Sequence, residues 1–272
     1  MCGIAGWIGK KNKLFDQINQ KENAVKKILD QQSYRGPDAE GIYSDVKSAV
    51  VMGHNRLSII DLSETGSQPM VSKEGRWIIS YNGELYNYVH LRKKLEEKFF
   101  IDFQGESDTE VFLNGIIHFG IDEFLRMADG MFAAAIYDKQ KEELFLMRDR
   151  VGEKPLFYYH NGDELYFASE LKSLTRGMPI NNEADMSGLQ LYMLLRYVPA
   201  PYTIIKNIFK LQEGHYLRFR VGDDLQQIPY YSWDPNASQI PPTKENYNQV
   251  VKATESLLLK SLEARLMSDV PL

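Results

Sequence analysis

The chain opens Met1-Cys2-Gly3-Ile4-Ala5-Gly6-Trp7-Ile8-Gly9, and two features of that stretch set the reading. Cys2 is the only cysteine among 272 residues, and it stands where removal of Met1 leaves it a free α-amino group. A thiol with an unperturbed pKa near ~8.5 then shares one residue with an amine near ~7.7–8.0, so the amine can take the thiol proton close to neutral pH, directly or through a water. The run behind it, Gly3–Gly9, is apolar and punctuated by glycine. It reads as a short buried strand that another backbone or a ligand approaches closely. A lone cysteine is also commonly a small buried hydrophobe, so position alone leaves both readings open.

Composition narrows the classes. Hydrophobic residues make up 43% of the chain, with 13 Phe and 16 Tyr, enough for a substantial core. A net charge of −5 argues against general nucleic-acid binding, and the short cluster Lys10-Lys11-Asn12-Lys13 reads as a solvated turn. No run approaches the ~18 apolar residues of a membrane span, and the N-terminus lacks the basic segment and long apolar core of a signal peptide. One cysteine cannot close an internal disulfide, which fits a reducing compartment. The expectation is a cytoplasmic protein with neither nucleic acid nor membrane as partner.

Runs of strands alternate with separate runs of helices, which argues for an antiparallel α+β architecture. Strands are expected at Gly3–Gly9, Gly41–Ser44, Ala49–His54, Trp77–Tyr81, Phe132–Tyr137, Glu143–Met147, Leu156–His160 and Glu164–Ala168, the last two joined by the hairpin signal Asn161-Gly162. Helical spacing covers Asp16–Gln32 with Asp16 as N-cap, Leu91–Lys98, and Asp108–Phe119 with Ser107 and Glu110 as a capping box. The polar, turn-rich segment Asp61–Gln68 reads as an exposed, mobile loop. Beyond about residue 180 come a helix at Met186–Arg196, a hairpin pairing Gly214–Arg220 with Gln227–Tyr231, a Pro-rich linker at Asp234–Thr243 and an amphipathic helix at Lys244–Leu266.

The five histidines are scattered without ligand spacing, so no metal site is expected. Phosphate-loop, dinucleotide and Gly-x-Ser-x-Gly patterns are missing too. Acyl chemistry at Cys2 remains. A thiolate attacking an amide creates an oxyanion that needs two aimed donors, and Asn82-Gly83, read here as the end of a strand, offers a side-chain amide and an unobstructed N–H. The same dipeptide is also an ordinary turn. An amino-acid substrate further needs a cation for its α-carboxylate, for which the Arg56 fork is suited, and anions for its α-ammonium, for which Glu84 and Asp108 are candidates. Each of these charges taken singly is more commonly solvated surface.

Together these residues resemble a known family. Met-Cys-Gly-Ile-Ala-Gly, Arg35-Gly36-Pro37-Asp38, His54-Asn55-Arg56-Leu57-Ser58-Ile59-Ile60-Asp61-Leu62, Gln68-Pro69-Met70, Tyr81-Asn82-Gly83-Glu84-Leu85-Tyr86-Asn87 and Ser107-Asp108-Thr109-Glu110 are similar to the glutaminase domain of glutamine-dependent asparagine synthetases. Arg148-Asp149-Arg150, Lys154-Pro155-Leu156, Phe167-Ala168-Ser169-Glu170 and Met267-Ser268-Asp269-Val270-Pro271 extend the likeness over essentially the whole chain. The resemblance implies an N-terminal-nucleophile hydrolase, a four-layer αββα sandwich of two antiparallel sheets. It implies Cys2 as nucleophile and Asn82 with Gly83 as oxyanion hole. Arg56 with main-chain groups of Leu57, Ser58, Ile59 and Ile60 would bind the glutamine α-carboxylate, and Glu84 and Asp108 the α-amino group. The loop about Asp61–Gln68 would close over the substrate.

The implied organisation is a glutaminase core over 1–180, its C-terminal part over 181–233, a linker over 234–243 and, over 244–272, the first helix of a synthetase domain that this chain lacks. The glutaminase reaction is expected to need no cofactor, with ATP and Mg²⁺ required only by the absent domain for amidating a carboxylate, aspartate by default. Sugar acids and peptide or lactam precursors stay open as acceptors, and a homodimer stays open as the assembly. Two other readings stay open. One is the glutaminase half of an amidophosphoribosyltransferase or glucosamine-6-phosphate synthase, less favoured by the Arg-Gly-Pro-Asp and Arg-Leu-Ser-Ile-Ile-Asp-Leu runs. The other is a non-catalytic module, which retention of Cys2, Asn82 and Asp108 disfavours.

Overall fold

Strand β1 (Gly3–Gly9) is buried along its whole length, yet its side chains divide by parity. Ile4 and Ile8 join one apolar cluster, and Ala5 and Trp7 join another. A strand whose alternate side chains are apolar on both faces needs cover on both, and the chain supplies it. The computed structural model describes residues 1–11, 14–178, 182–234, 243–244 and 246–270.

β1 pairs antiparallel with β3 (Val50–Arg56) and β9 (Glu164–Ala168). With β2 (Ala39–Asp45), β8 (Phe157–His160) and β10 (Ile208–Lys210) they form a six-stranded sheet ordered β10-β8-β9-β1-β3-β2. A second six-stranded sheet runs β12 (Gln226–Pro229), β11 (His215–Phe219), β7 (Glu143–Arg148), β6 (Gly130–Asp138), β5 (Trp77–Leu85), β4 (Met70–Val71). Its pairings are antiparallel as well.

Three apolar clusters glue four layers together. Ile4, Val50, Met52, Ile78, Leu144, Leu146 and Leu217 lie between the sheets and are fully buried. At about 1.5–3 kcal/mol per such side chain, this layer holds the sheets face to face. On the outer face of the first sheet, helices α1 (Leu14–Gln31) and α5 (Leu171–Gly177) bury Val25, Ile28, Leu29 and Leu174 against Trp7, Val51 and Tyr166. Helices α2 (Tyr88–Phe99), α3 (Asp108–Phe119) and α4 (Ile121–Met127) pack Leu95, Phe112, Ile116 and Phe124 on Tyr81, Phe132 and Phe145 of the second. The order α-β-β-α is the expected sandwich.

Several local expectations change. α1 begins at Leu14, so Asp16 is inside the helix and not its N-cap; Leu14 and Phe15 do nothing to stop a helix from starting earlier. Ser107 does cap α3, its Oγ accepting from the Glu110 N–H at 3.3 Å, but the Glu110 carboxylate reaches back to the N–H groups of Gln104 and Gly105 and not to that of Ser107. The most consequential change is β5, which continues four residues beyond Tyr81. Asn82 and Gly83 are ladder residues opposite Ala133 and Phe132, not a turn. Strands β4 and β10 and helices α4 and α5 are too short to carry a periodic signal. The expected linker falls almost wholly on 235–242, outside the described residues, as do residues 12–13 of the basic cluster.

Helices α6 (Met186–Leu195) and α7 (Tyr247–Arg265) keep apolar side chains in solvent, among them Met193, Leu194, Leu257, Leu258 and Leu262. α7 is tied down at its C-terminal end, where Arg265 lies 4.5 Å over the Tyr86 ring and 3.8 Å from Glu153. No described helix is long and apolar enough to cross a membrane.

The inter-sheet layer leaves a checkable constraint at Gly6. A β-carbon there would sit 2.4 Å from the Phe167 ring and 2.7 Å from the Val51 carbonyl oxygen. Gly6→Ala is therefore expected to cost about 1–3 kcal/mol, read as a lower urea midpoint at unchanged m-value. A midpoint equal to the parent's would show that the layer accommodates a methyl group.

Candidate active site

Reading the inter-sheet faces of three strands in steps of two gives a gradient. β1 presents Ile8 and Ile4 and leads to Cys2; β3 presents Val50, Met52, His54 and Arg56; β5 presents Ile78, Ser80, Asn82 and Glu84. Each face passes from apolar to polar in the same direction, because β1 and β3 are antiparallel and β5 crosses from the other sheet. The polar ends meet in a cleft of about 560 Å³ lined by Cys2, Arg56, Leu57, Ile59, Ile60, Asn82, Gly83, Glu84 and Asp108. Nine of the ten expected residues thus line one cleft, four of them through strand parity and the others through the loop after β3, the Gly83 main chain and the start of α3. Ser58 is the exception, its N–H being spent on Asp38 at 2.8 Å.

The thiol is held where the first sheet ends. Its S–H donates to the Leu57 carbonyl at 3.6 Å, and its Sγ accepts the Leu57 N–H at 3.4 Å. Arg35 Nε donates to the Cys2 carbonyl at 3.0 Å while its Nη1 pairs with Glu170 at 2.9 Å. Burial pushes the thiol up from its ordinary value; the Leu57 N–H, the terminal amine and Arg56 pull it back, and Asp108 adds to the rise.

The second sheet supplies donors through an edge left unpaired. β4 matches only Ile78 and Ile79 of β5. From Tyr81 onward that edge of β5 lacks a neighbouring strand, and other groups take its main chain. Gln68 Oε1 accepts the Tyr81 N–H at 2.6 Å, the Tyr81 carbonyl accepts Nε2–H of His54 at 3.0 Å, and Asp108 Oδ2 accepts the Leu85 N–H at 2.9 Å. Main-chain groups alternate along a strand, so the N–H of Gly83 points to the same edge, between two that are used. It opens into the cleft. A β-carbon at Gly83 would lie 2.4 Å from the Met131 carbonyl, so glycine is required there for β6 to approach. The Asn82 side chain, 1% exposed, carries a buried Nδ2 with no partner among the described residues. Two donors therefore face one volume with nothing to satisfy them, which is the disposition an oxyanion needs.

Burial also silences His54. Its pKa falls to about 3, so it is a neutral link between the sheets and not a general base.

The segment read as a mobile loop is exposed over 62–65 but internally wired. Asp61 is buried and accepts from Ser63 N–H at 3.1 Å, Thr65 Oγ1 at 2.8 Å and Glu106 N–H at 3.0 Å. Arg56 donates from Nη1 to the Ser63 carbonyl at 2.9 Å and from Nη2 to that of Asp61. Gly66 admits the guanidinium, since a β-carbon there would meet Nη2 at 2.2 Å. Arg56 thus anchors the loop and, with five N–H donors in its fork, keeps others for a ligand. From the far end of the chain the Asp269 N–H donates to the Ile59 carbonyl at 2.9 Å, and Asp269 Oδ2 accepts the Asp61 N–H at 2.8 Å.

Sequence reasoning gave Gln68, Gly66, Lys154 and Asp269 no role, although three of the four lay inside quoted motifs. Their work is to hold main chain or to line the cleft, which leaves no periodic or chemical signature of its own.

Two carboxyls complete the cleft. Burial raises Glu84, with Lys154 and the terminal amine opposing. Asp108, at the first turn of α3, is pushed up to about 6 by burial, against the pull of the Leu85 N–H. A carboxyl whose folded pKa is raised favours the fold when protonated and loses that contribution as pH climbs through about 6. Asp108→Asn, which keeps an acceptor for Leu85 and removes the buried charge, should gain stability over the parent at pH ~8 and much less at pH ~5. Urea midpoints at the two pH values decide this; an equal difference at both would show that Asp108 is not the group that titrates.

Known proteins resemble this chain in sequence and in fold. A family model described as a glutamine amidotransferase domain matches residues 1–231. Two Bacillus subtilis proteins, asparagine synthetases [glutamine-hydrolyzing] 1 and 3, are 35% and 33% identical over 273 and 274 residues, matching 100% of this chain and 41% and 42% of their own length. Amidase chry2 of Gibberella zeae is 31% identical over 277 residues, with 100% and 40% covered. The chain spans well under two thirds of the length of these relatives. Among solved structures, glutamine phosphoribosylpyrophosphate amidotransferase from B. subtilis superposes with a TM-score of 0.61 at 18% identity, over 85% of this chain and 49% of that one, which speaks to the fold. With the family model covering all of both sheets, the chain belongs to the glutamine amidotransferase domain family.

Proposed function

We propose that this chain hydrolyses glutamine to glutamate and ammonia, with Cys2 as nucleophile once Met1 is removed. The observation that carries the reading is the convergence, at the polar end of the inter-sheet gap, of the lone thiol with the unpartnered Asn82 amide and the free edge N–H of Gly83. The α-amine of Cys2 takes the thiol proton, and the thiolate attacks the side-chain amide carbon of glutamine. The oxyanion of the tetrahedral intermediate accepts hydrogen bonds from Asn82 and Gly83. The amine returns its proton to the departing nitrogen, ammonia leaves, and a γ-glutamyl thioester remains. Water attacks that thioester by the reverse proton path and releases glutamate. Arg56 holds the α-carboxylate, with the Leu57–Ile60 main chain beside it, and Glu84 and Asp108 hold the α-ammonium.

The likeness to asparagine synthetases supports the destination of the ammonia, an ATP- and Mg²⁺-dependent amidation of a carboxylate in a synthetase region outside this chain, with aspartate as acceptor. The solvent-facing apolar residues of α6 and α7 fit burial against such a region.

Roles predict a pattern of kinetics. Cys2→Ala should abolish glutamate release. Asn82→Ala should lower kcat by ~10²–10³ with KM little changed, since an oxyanion donor acts only in the transition state. Arg56→Ala should raise KM chiefly, because the carboxylate is bound alike in ground and transition states. Glutamate release by the alanine variant at Cys2, or the reverse pattern at Asn82 and Arg56, would contradict the assignment.

A further inference from the structure

One quoted motif has no part in the mechanism above, the run Arg148-Asp149-Arg150-Val151-Gly152-Glu153-Lys154. It is a turn held by many hydrogen bonds. Asp149, fully buried, accepts N–H groups from Phe132 at 3.2 Å, Val151 at 3.2 Å, Glu153 at 2.9 Å and Lys154 at 2.9 Å. Arg148 donates to the carbonyls of Lys154 at 2.9 Å, Leu211 at 2.7 Å and Gly152 at 2.7 Å. Two buried charged side chains thus spend nearly all their capacity on fixing one short turn. What the turn delivers is Lys154, 6% exposed, lining the cleft beside Met1, Cys2 and Glu84. Among the described residues no hydrogen bond or ion pair engages its ammonium.

The Lys154 side chain is largely buried while its ammonium opens onto the cleft without a protein acceptor, and the other cations here are already engaged. Arg35 is paired with Glu170 and Arg56 is bonded to the loop carbonyls. We infer that Lys154 is a positioning residue of the hydrolytic site, whose charge favours the form of Cys2 in which thiol and α-amine share one proton over the form in which they hold two. The inference rests on the proposed role of Cys2. A cation beside the pair disfavours the ammonium and favours the thiolate, both of which poise the residue for attack. The charges that face this end of the chain are Arg35 from the 3₁₀ turn, Arg56 from β3, Glu84 from β5, Asp108 from α3 and Lys154 from this turn, with Glu153 acting on Lys154 itself. Arg265 of α7 bears on Glu84 in turn. Before processing, burial pushes the Met1 amine, one residue ahead of the Cys2 nitrogen, down from its ordinary value; Lys154 and Arg35 add to that, against Cys2 and Glu84. The same burial lowers Lys154 itself, against Glu84.

The test uses the processed chain, and its first arm needs no substrate. Cys2 is the only thiol, so alkylation by iodoacetamide followed by intact mass reports it alone, pH by pH. Lys154→Met is expected to move the midpoint of alkylation upward by ~0.5 pH or more, and to move the acid limb of kcat/KM for glutamine in the same direction. Lys154→Arg should restore both, because it returns the charge. Lys154→Gln serves where the methionine variant does not fold, with thermal melting as the control for each. An unmoved midpoint in a folded neutral variant overturns the inference, as does an arginine variant that behaves like the neutral one, which would reduce Lys154 to packing. The glutaminase reading fails separately, by a parent that releases no glutamate while the alkylation shift persists.

Discussion

The edge of β5 left bare by a two-residue β4 is the constraint on which the site depends. Had β4 continued alongside, its backbone would take the N–H groups of Tyr81, Gly83 and Leu85, and no donor would face the cleft. Because it stops, Gln68, His54 and Asp108 each reach across to occupy one main-chain position, and the gap they leave is Gly83. Those three contacts come from the loop after β3, from β3 itself and from the start of α3. One unpaired edge therefore fixes the sheet that carries Cys2, the loop after β3 and the helix that carries Asp108 relative to one another. An unsatisfied edge is ordinarily a liability; here it is closed by side chains except at the Gly83 amide.

The same layer that stabilises the fold also sets the electrostatics. Moving along the gap from Ile78 to Glu84, the fully apolar contact that holds the sheets gives way to charge within four strand positions. Polar groups so placed keep low-dielectric walls, which strengthens whatever they do to a developing charge. The cost is visible in Asp108 and Glu84, both raised by burial, and in a thiol raised by the same cause. The polar end of the gap is thus less stable at neutral pH than an apolar one would be, a trade expected of a working site.

Much of this was legible in the residues. The parity of Ile4 and Ile8 against Ala5 and Trp7 announces a strand covered on both faces, and the αββα order follows from the resemblance. The chemistry-bearing types, Cys2, Arg56, Asn82, Glu84 and Asp108, were identified before any geometry. The continuation of β5 was not, because Asn-Gly is the strongest short turn signal there is, and only its pairing with Ala133 and Phe132 overrides that local preference. Nor could the sequence show that Asp61 ties the 61–66 loop to Glu106, or that Asp269 returns to Asp61, since contacts 45 and 208 residues apart leave no local pattern. Lys154 stood in a recognised motif, yet its role depends on a turn fixed by the buried Asp149 and Arg148, which a solvated reading of each charge conceals.

The relatives are longer than this chain, and the C-terminal end of α7 together with Asp269 meets the body beside the cleft, at Tyr86, Glu153, Ile59 and Asp61. Asp269 thus hydrogen-bonds the main chain of Ile59 and Asp61, at the start of the loop that Arg56 anchors. The central claim, that an N-terminal Cys2 attacks the side-chain carbonyl of glutamine, is tested most directly by labelling. The chain is exposed to a glutamine analogue bearing an electrophilic ketone in place of the side-chain amide, and intact and peptide masses are read alongside residual glutaminase activity. The account predicts a chain without Met1, one label on Cys2, activity lost in proportion to labelling, and protection by glutamine. Full activity in a chain that retains Met1, or in one whose Cys2 is fully labelled, would contradict it.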